Sequence, residues 1–177
     1  MEIEFDFTVN DWMEFQKNYL KNSKQFNRTK IIVTVMFPLT FFFLLVIDYA
    51  QGKFNVAGLI VLVVASVLWV LFYPKRMYKR TLGRIRKMLE DGDNTGILGL
   101  HKLQLTKKGI VHTEPNSEQK ITWTGIKKME ENDTHIFLYN TAVSAIIIPK
   151  LKIQDDLKEV KEILTDYGPK KSSKDFQ

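Results

Sequence analysis

The chain contains no cysteine, which excludes disulfides, thiolate metal sites and cysteine nucleophiles. Histidine is scarce: His101, His112 and His135 are the only three. Each stands on a strand-like segment, and no HxxxH or HExxH spacing joins them. They therefore read as solitary structural or surface residues, and no metal site is expected. GxGxxG, P-loop and GxSxG patterns are absent as well. The acidic neighbours Glu130-Glu131 and Asp155-Asp156 diverge or solvate a helix end and do not aim two carboxylates at one bond. No catalytic residue and no cofactor are implied by these patterns, and an enzyme is not expected. Asp48 is the only acid near the apolar segments and falls in a short loop, so no buried ionisable group marks a transport path.

What the chain does have is apolar length. Within residues 31–73, IIVTVMFPLTFFFLLVI and VAGLIVLVVASVLWVLFY are separated only by DYAQGKFN. Each run supplies roughly 17 to 18 uncharged residues, about 27 Å of helix, and Thr29, Lys30 and Tyr49 extend that toward a full hydrocarbon core. Neither run carries a charge at any helical angle, so its neighbour is lipid or a large core, and a chain of 177 residues hardly buries two such helices. The mean hydropathy of −0.15 hides this because the apolarity is concentrated. A transmembrane hairpin is expected, with a local kink at Pro38. Tyr49, Phe54, Trp69, Phe72 and Tyr73 stand at the ends, where interfacial aromatic belts form. Gly58, Ala65 and Ser66 allow close helix approach. The apolar run starts too far into the chain, after a charged segment, for a cleavable signal peptide.

Charge sets an expected orientation. Lys17, Lys21, Lys24, Arg28 and Lys30 precede the first run, and Lys75, Arg76, Lys79, Arg80, Arg84, Arg86 and Lys87 follow the second, whereas the loop holds one Lys and one Asp. The positive-inside rule then predicts a multi-pass protein of the cell membrane with both termini cytoplasmic. A net charge of +6 and a pI near 9.4 could suggest nucleic acid. The excess lies beside the apolar segments instead, where a basic collar attracts anionic lipid at about 1 kcal/mol per residue. The bilayer is thus the expected partner, a protein partner is possible in addition, and nucleic acid is not expected.

In order, MEIEFDF alternates Ile3, Phe5 and Phe7 against Glu2, Glu4 and Asp6, the mark of a half-buried strand, which is expected to dock on a sheet built by the other end of the chain. Thr8 or Asn10 can cap a helix carrying Trp12, Phe15, Tyr19 and Leu20, with Asp11 placed to satisfy early amides. Residues 1–29 form this cytoplasmic strand and helix, 30–73 the hairpin, and 74–91 a basic juxtamembrane helix with Tyr78, Leu82, Ile85 and Leu89 on one stripe. After a turn-rich junction, residues 98–168 form a cytoplasmic domain of short antiparallel strands. His101, Leu103 and Leu105 alternate with Lys102, Gln104 and Thr106, Ile121 and Trp123 share a strand face, and 142–149 read as one strand. A helix bearing Leu157, Val160, Ile163, Leu164 and Tyr167 closes it, with Asp155 and Asp156 at its start and Gly168-Pro169 at its end. Residues 169–177 read as a disordered tail. The fold class is α+β.

LTKKGI at 105–110, ITWTGIKKMEE around Trp123, HIFLYNTAVSAIIIPK and the acidic helix together resemble the YcxB-like family of bacterial membrane proteins, over nearly the whole length. The resemblance implies a pleckstrin-homology-like domain, a strongly bent antiparallel sheet plugged by a carboxy-terminal helix. It implies no catalytic motif. A binding module at the inner leaflet is the leading expectation, with a protein segment or anionic lipid as ligand. Two alternatives are an immunity protein against a membrane-active peptide or bacteriocin, by analogy of fold, and a structural subunit of a membrane complex.

Overall fold

The structure, a computed structural model, describes residues 1–53 and 55–169. Phe54 and the tail at residues 170–177 lie outside the described residues. Two compact units make up the chain: residues 1–17 together with the residues from Arg86 onward, and residues 18–85.

In the first unit, strand β1 (Glu2–Phe7) buries Ile3, Phe5 and Phe7 and exposes the residues between them, as strict alternation requires. It pairs antiparallel with β2 (Gly99–Thr106), Ile3 opposite Leu103 and Phe5 opposite His101. Lys102 clamps the pair from outside, 2.9 Å from Glu2 and 2.7 Å from Glu4. β2 turns into β3 (Gly109–Glu114), which pairs with β4 (Ser117–Thr122), so the sheet order is β1-β2-β3-β4. Gly109 makes the first turn possible. Its φ is +152°, and a Cβ there would lie 2.2 Å from the Ile121 carbonyl oxygen.

Beyond it comes a second antiparallel sheet, order β5-β6-β7: β5 (Lys128–Glu131), β6 (His135–Tyr139) and β7 (Ala145–Pro149). All five residues of β6 are buried. Phe137 meets Phe15 of helix α1 (Val9–Asn22) at a ring separation of 6.1 Å. Helix α4 (Leu157–Tyr167) adds Val160 and Leu164 to the shared core. Asp156 flanks its start and Gly168 its end.

Two strand assignments differ from the sequence pattern. Trp123 lies in a short 3-10 turn, Trp123–Gly125, at the break between the two sheets. An Ile121/Trp123 alternation is too short to decide between strand and turn, and tertiary contacts decide it. The indole nitrogen donates to the Thr106 carbonyl at 2.9 Å, and the ring stacks on Tyr167. Likewise Ala142–Ser144 is a turn, not the start of β7, because the Asn140 and Thr141 amides both donate to the Ser144 carbonyl.

The second unit is a pair of long helices, α2 (Lys24–Ala50) and α3 (Val56–Asp91), the latter passing into the first unit after Ile85. Ser23 caps α2 by accepting from the Phe26 amide, and Asn55 accepts from the Ala57 amide at the start of α3. Both helices are long and apolar enough to cross a membrane. Phe42, Phe43, Val61 and Phe72 are all more than 60 % exposed, so burial within the chain does not account for the apolarity. Phe26 meets Tyr78 and Phe37 meets Trp69, which makes the helices antiparallel. Trp69 stacks between Phe37 at 4.3 Å and Tyr73 at 4.2 Å, so this indole joins the two helices, a role its place near the end of the apolar run does not announce.

The sequence pattern separates a helix at 74–91 from the apolar run before it. The structure shows one helix running through Pro74. Proline removes one i to i−4 hydrogen bond and does not by itself end a helix whose flanking turns are strong formers.

Phe5→Ala is expected to destabilise the first unit by about 3–5 kcal/mol, as large-to-small changes at buried aromatics do. Glu4→Ala, at an exposed ion pair, is expected to change stability by less than about 1 kcal/mol. Hydrogen exchange of the β2 amides in the detergent-solubilised full chain separates the two. Equal protection in both variants would contradict the assigned register.

Candidate functional site

The interior of the first unit holds more polar chemistry than a small core needs. Asp11, His101, His112 and His135 are all buried. Buried polar groups must find partners, and these gather in two clusters.

The first cluster ties α1 to the second sheet. Asp11 is the third residue of α1, and Thr8 donates to its Oδ2 through both its amide (2.8 Å) and its hydroxyl (2.6 Å). This is the N3-to-cap half of a capping box, as the sequence suggests. The same carboxylate reaches farther. Lys152 Nζ lies 2.6 Å from Oδ2 and His135 Nε2 lies 3.0 Å from Oδ1. A carboxylate can only accept, so His135 Nε2 carries the hydrogen, and its Nδ1 faces the Thr134 hydroxyl at 2.8 Å. Burial alone would raise the Asp11 pKa. The hydrogen bonds from His135, Lys152 and Thr8 outweigh it and hold the carboxyl well below the usual range.

The second cluster lies on the inner face of β2 and β3. Alternation that turns Leu103 and Leu105 inward turns His101 inward too, and on β3 it turns Ile110, His112 and Glu114 the same way. Since Leu103 is opposite His112, the hairpin register makes His101 and His112 diagonal neighbours on one face. His101 Nδ1 and His112 Nε2 lie 3.0 Å apart. His101 Nε2 lies 2.8 Å from the Ile97 carbonyl, an acceptor, so that nitrogen bears hydrogen. The Phe7 ring stacks on His101 at 4.6 Å. On the other side, Glu114 Oε1 stands 3.7 Å from His112 Nδ1. Burial lowers the His112 pKa to about 4, assisted by His101 and opposed by Glu114. Burial lowers that of His101 as well. Both rings are therefore neutral near pH 7.

His112 and Glu114 open onto a cleft of about 190 Å³ between the two sheets. Trp12 and Phe15 of α1, Gln119 of β4 and Asn140 of the β6–β7 turn line it further. Asn140 Oδ1 is buried without a hydrogen-bond partner among the described residues.

His101 and His112 thus do not stand alone, contrary to the expectation from spacing, because the contact is made across a hairpin and not along a helix. Hairpin register could have revealed it: inward alternation on both arms of the Lys107-Lys108-Gly109 turn puts the two rings on one face.

The basic collar is at the surface. Lys75, Arg76, Lys79, Arg80, Arg84, Arg86 and Lys87 are all exposed on α3. At 100° per residue they cover roughly half the helix circumference. Arg86 is engaged, donating to Asn10 Oδ1 at 2.7 Å and lying 3.6 Å from Glu90. Among the described residues the other six have no hydrogen bond or ion pair.

Asp11→Asn is expected to destabilise the first unit by about 3 kcal/mol, because Lys152 and His135 lose a buried acceptor charge. The sign of the pH dependence is set by the lowered pKa. The stabilisation is present above the unfolded carboxyl value near 3.8 and is lost as pH falls below it toward the folded value. Thermal melts of the full chain in detergent between pH 6 and 2 are expected to show a steeper acid loss in wild type than in the variant, and parallel curves would contradict the assignment.

Comparison with curated proteins and with solved structures returned no match. The family match covers residues 105–164, from the end of β2 through most of α4, and its description is YcxB-like protein. It takes in LTKKGI, the Trp123 turn and IIIPK, the segments that carry the resemblance, and over these residues the chain is similar to that family.

Proposed function

We propose that this is a non-enzymatic membrane protein whose YcxB-like unit is held at the inner leaflet, with the basic arc of α3 set against anionic lipid headgroups. The observation that carries it is the run of six exposed cations on α3, without a partner among the described residues, beginning where the apolar stretch of the same helix ends. Long cationic side chains beside a membrane span place their charge at the headgroup level, where anionic lipid lowers their energy. Two antiparallel sheets of four and three strands with α4 against their common core support the pleckstrin-like reading of the unit.

Topology has independent support besides loop charge. β1 precedes α2 and β2 comes after α3, and the two strands are hydrogen-bonded to each other. If both helices cross the bilayer, the segments before and after them must share one side. Positive charge favours the cytoplasm for that side.

Two measurements test the proposal. The absence of native cysteine permits single-cysteine labelling in intact cells. A Lys53→Cys variant is expected to react with a membrane-impermeant maleimide, and a Glu118→Cys variant to be protected until the cells are opened; the reverse pattern would refute the orientation. For lipid, doping detergent micelles with phosphatidylglycerol is expected to raise the melting temperature of the full chain by about 3–5 °C relative to phosphatidylcholine. The combined Lys79→Gln, Arg80→Gln, Arg84→Gln, Lys87→Gln variant is expected to lose most of that rise, and added salt to shrink it in wild type. An equal rise in the variant would refute a role for the arc. The full chain is required, since a piece starting at α3 would lack β1.

A further inference from the structure

We propose that the imidazoles of His101 and His112 and the Glu114 carboxylate bind one first-row divalent metal ion of the zinc class, with the open coordination position facing the cleft between the sheets. The three ligand groups lie within 4.8 Å of one another. Two nitrogens bound to a tetrahedral zinc at about 2.0–2.1 Å are about 3.3 Å apart, close to the 3.0 Å between His101 Nδ1 and His112 Nε2. Glu114 is partly buried, its side chain 21 % exposed, so it retains freedom to swing onto an ion. A nitrogen and oxygen donor set without sulfur suits zinc, cobalt or nickel.

The hydrogen-bond arithmetic of the pair leaves a ring lone pair without a hydrogen in either neutral tautomer of His112. His101 Nε2 gives its hydrogen to the Ile97 carbonyl, which leaves a lone pair on Nδ1. Among the described residues the group facing that lone pair is His112 Nε2. If His112 donates from Nε2, its Nδ1 becomes a second lone pair, aimed at the Glu114 carboxylate. That lone pair and the carboxylate, 3.7 Å apart at the cleft, have no hydrogen between them. If His112 donates from Nδ1 toward Glu114, two imidazole lone pairs face each other at 3.0 Å. A doubly protonated His112 would resolve the conflict only by placing an imidazolium in a core that disfavours it. A metal ion between the two nitrogens resolves it with both rings neutral.

The surroundings match what metal-bound imidazoles have elsewhere. The outer nitrogen of His101 is fixed by a backbone carbonyl, the usual device for setting the tautomer of a ligating ring. Phe7 stacked on His101 holds its ring plane. On the cleft side, Asn140 Oδ1 is a buried acceptor with no partner among the described residues, suited to a water molecule on the fourth position. Three protein ligands and one solvent position make an open site, able to receive a carboxylate or carbonyl oxygen from a molecule entering the cleft.

The test uses the full chain in detergent, stripped with chelator and titrated with Zn²⁺ alone against a chromophoric competitor, with metal content read by elemental analysis. Wild type is expected to hold one zinc per chain, and Co²⁺ in its place to give the visible absorption of a low-coordinate site. His112→Asn and Glu114→Gln are each expected to weaken zinc at least tenfold, and His135→Asn to leave it unchanged. Should His112→Asn fail to fold, the partly exposed Glu114→Gln carries the test with its melting temperature as control. No zinc at micromolar concentration in wild type, unchanged affinity in Glu114→Gln, or loss of zinc in His135→Asn would each overturn the proposal.

Discussion

Backbone pairing between β1 and β2 is the constraint on which the rest of the first unit depends. It joins residues as far apart as Met1 and Leu105, 104 positions in sequence, by a reciprocal pair of hydrogen bonds. Closing so long a loop carries an entropic cost that grows only slowly with length, so the apolar gain from Ile3, Phe5 and Phe7 can offset it. The same pairing positions both polar clusters. It presents His101 opposite Phe5 and brings Asp11, just beyond β1, within reach of His135 and Lys152.

Polar groups inside the unit serve as locators. The Asp11 carboxylate collects donors from the start of α1, from β6 and from the turn after β7, and each would be left unsatisfied if α1 were misplaced. Lys150 and Lys161 converge similarly on Glu131 at 2.5 and 2.8 Å and tie α4 to β5. Burial raises the Glu131 pKa and the two lysines lower it further than that. Apolar contact supplies most of the driving force, and these charge-assisted bonds select one arrangement among many of similar burial.

Patterns with a strict period were legible in the sequence. The alternation of MEIEFDF, the two charge-free runs and the Leu157–Tyr167 stripe each have one geometric solution, and the structure adopts it. Trp123 was not legible, because its contacts with Thr106 and Tyr167 are tertiary and leave no local period. Nor did Pro74 end the helix as local rules suggest. The seven collar residues were visible as charge and stand exposed on α3. The His101–His112 contact was present in principle, since hairpin register dictates it, but spacing rules built for helices look past it.

Placing the first strand of a sheet before a hairpin and the remaining strands after it has a consequence for synthesis. Translation at roughly 5–20 residues per second leaves on the order of 5–20 s between the emergence of β1 and that of its partner. During that interval Ile3, Phe5 and Phe7 have no sheet to cover them, and the charged alternates Glu2, Glu4 and Asp6 on the opposite side act as gatekeepers against premature strand association. The nascent chain thus carries a delayed latch, which closes only after the greasy helices between have been synthesised.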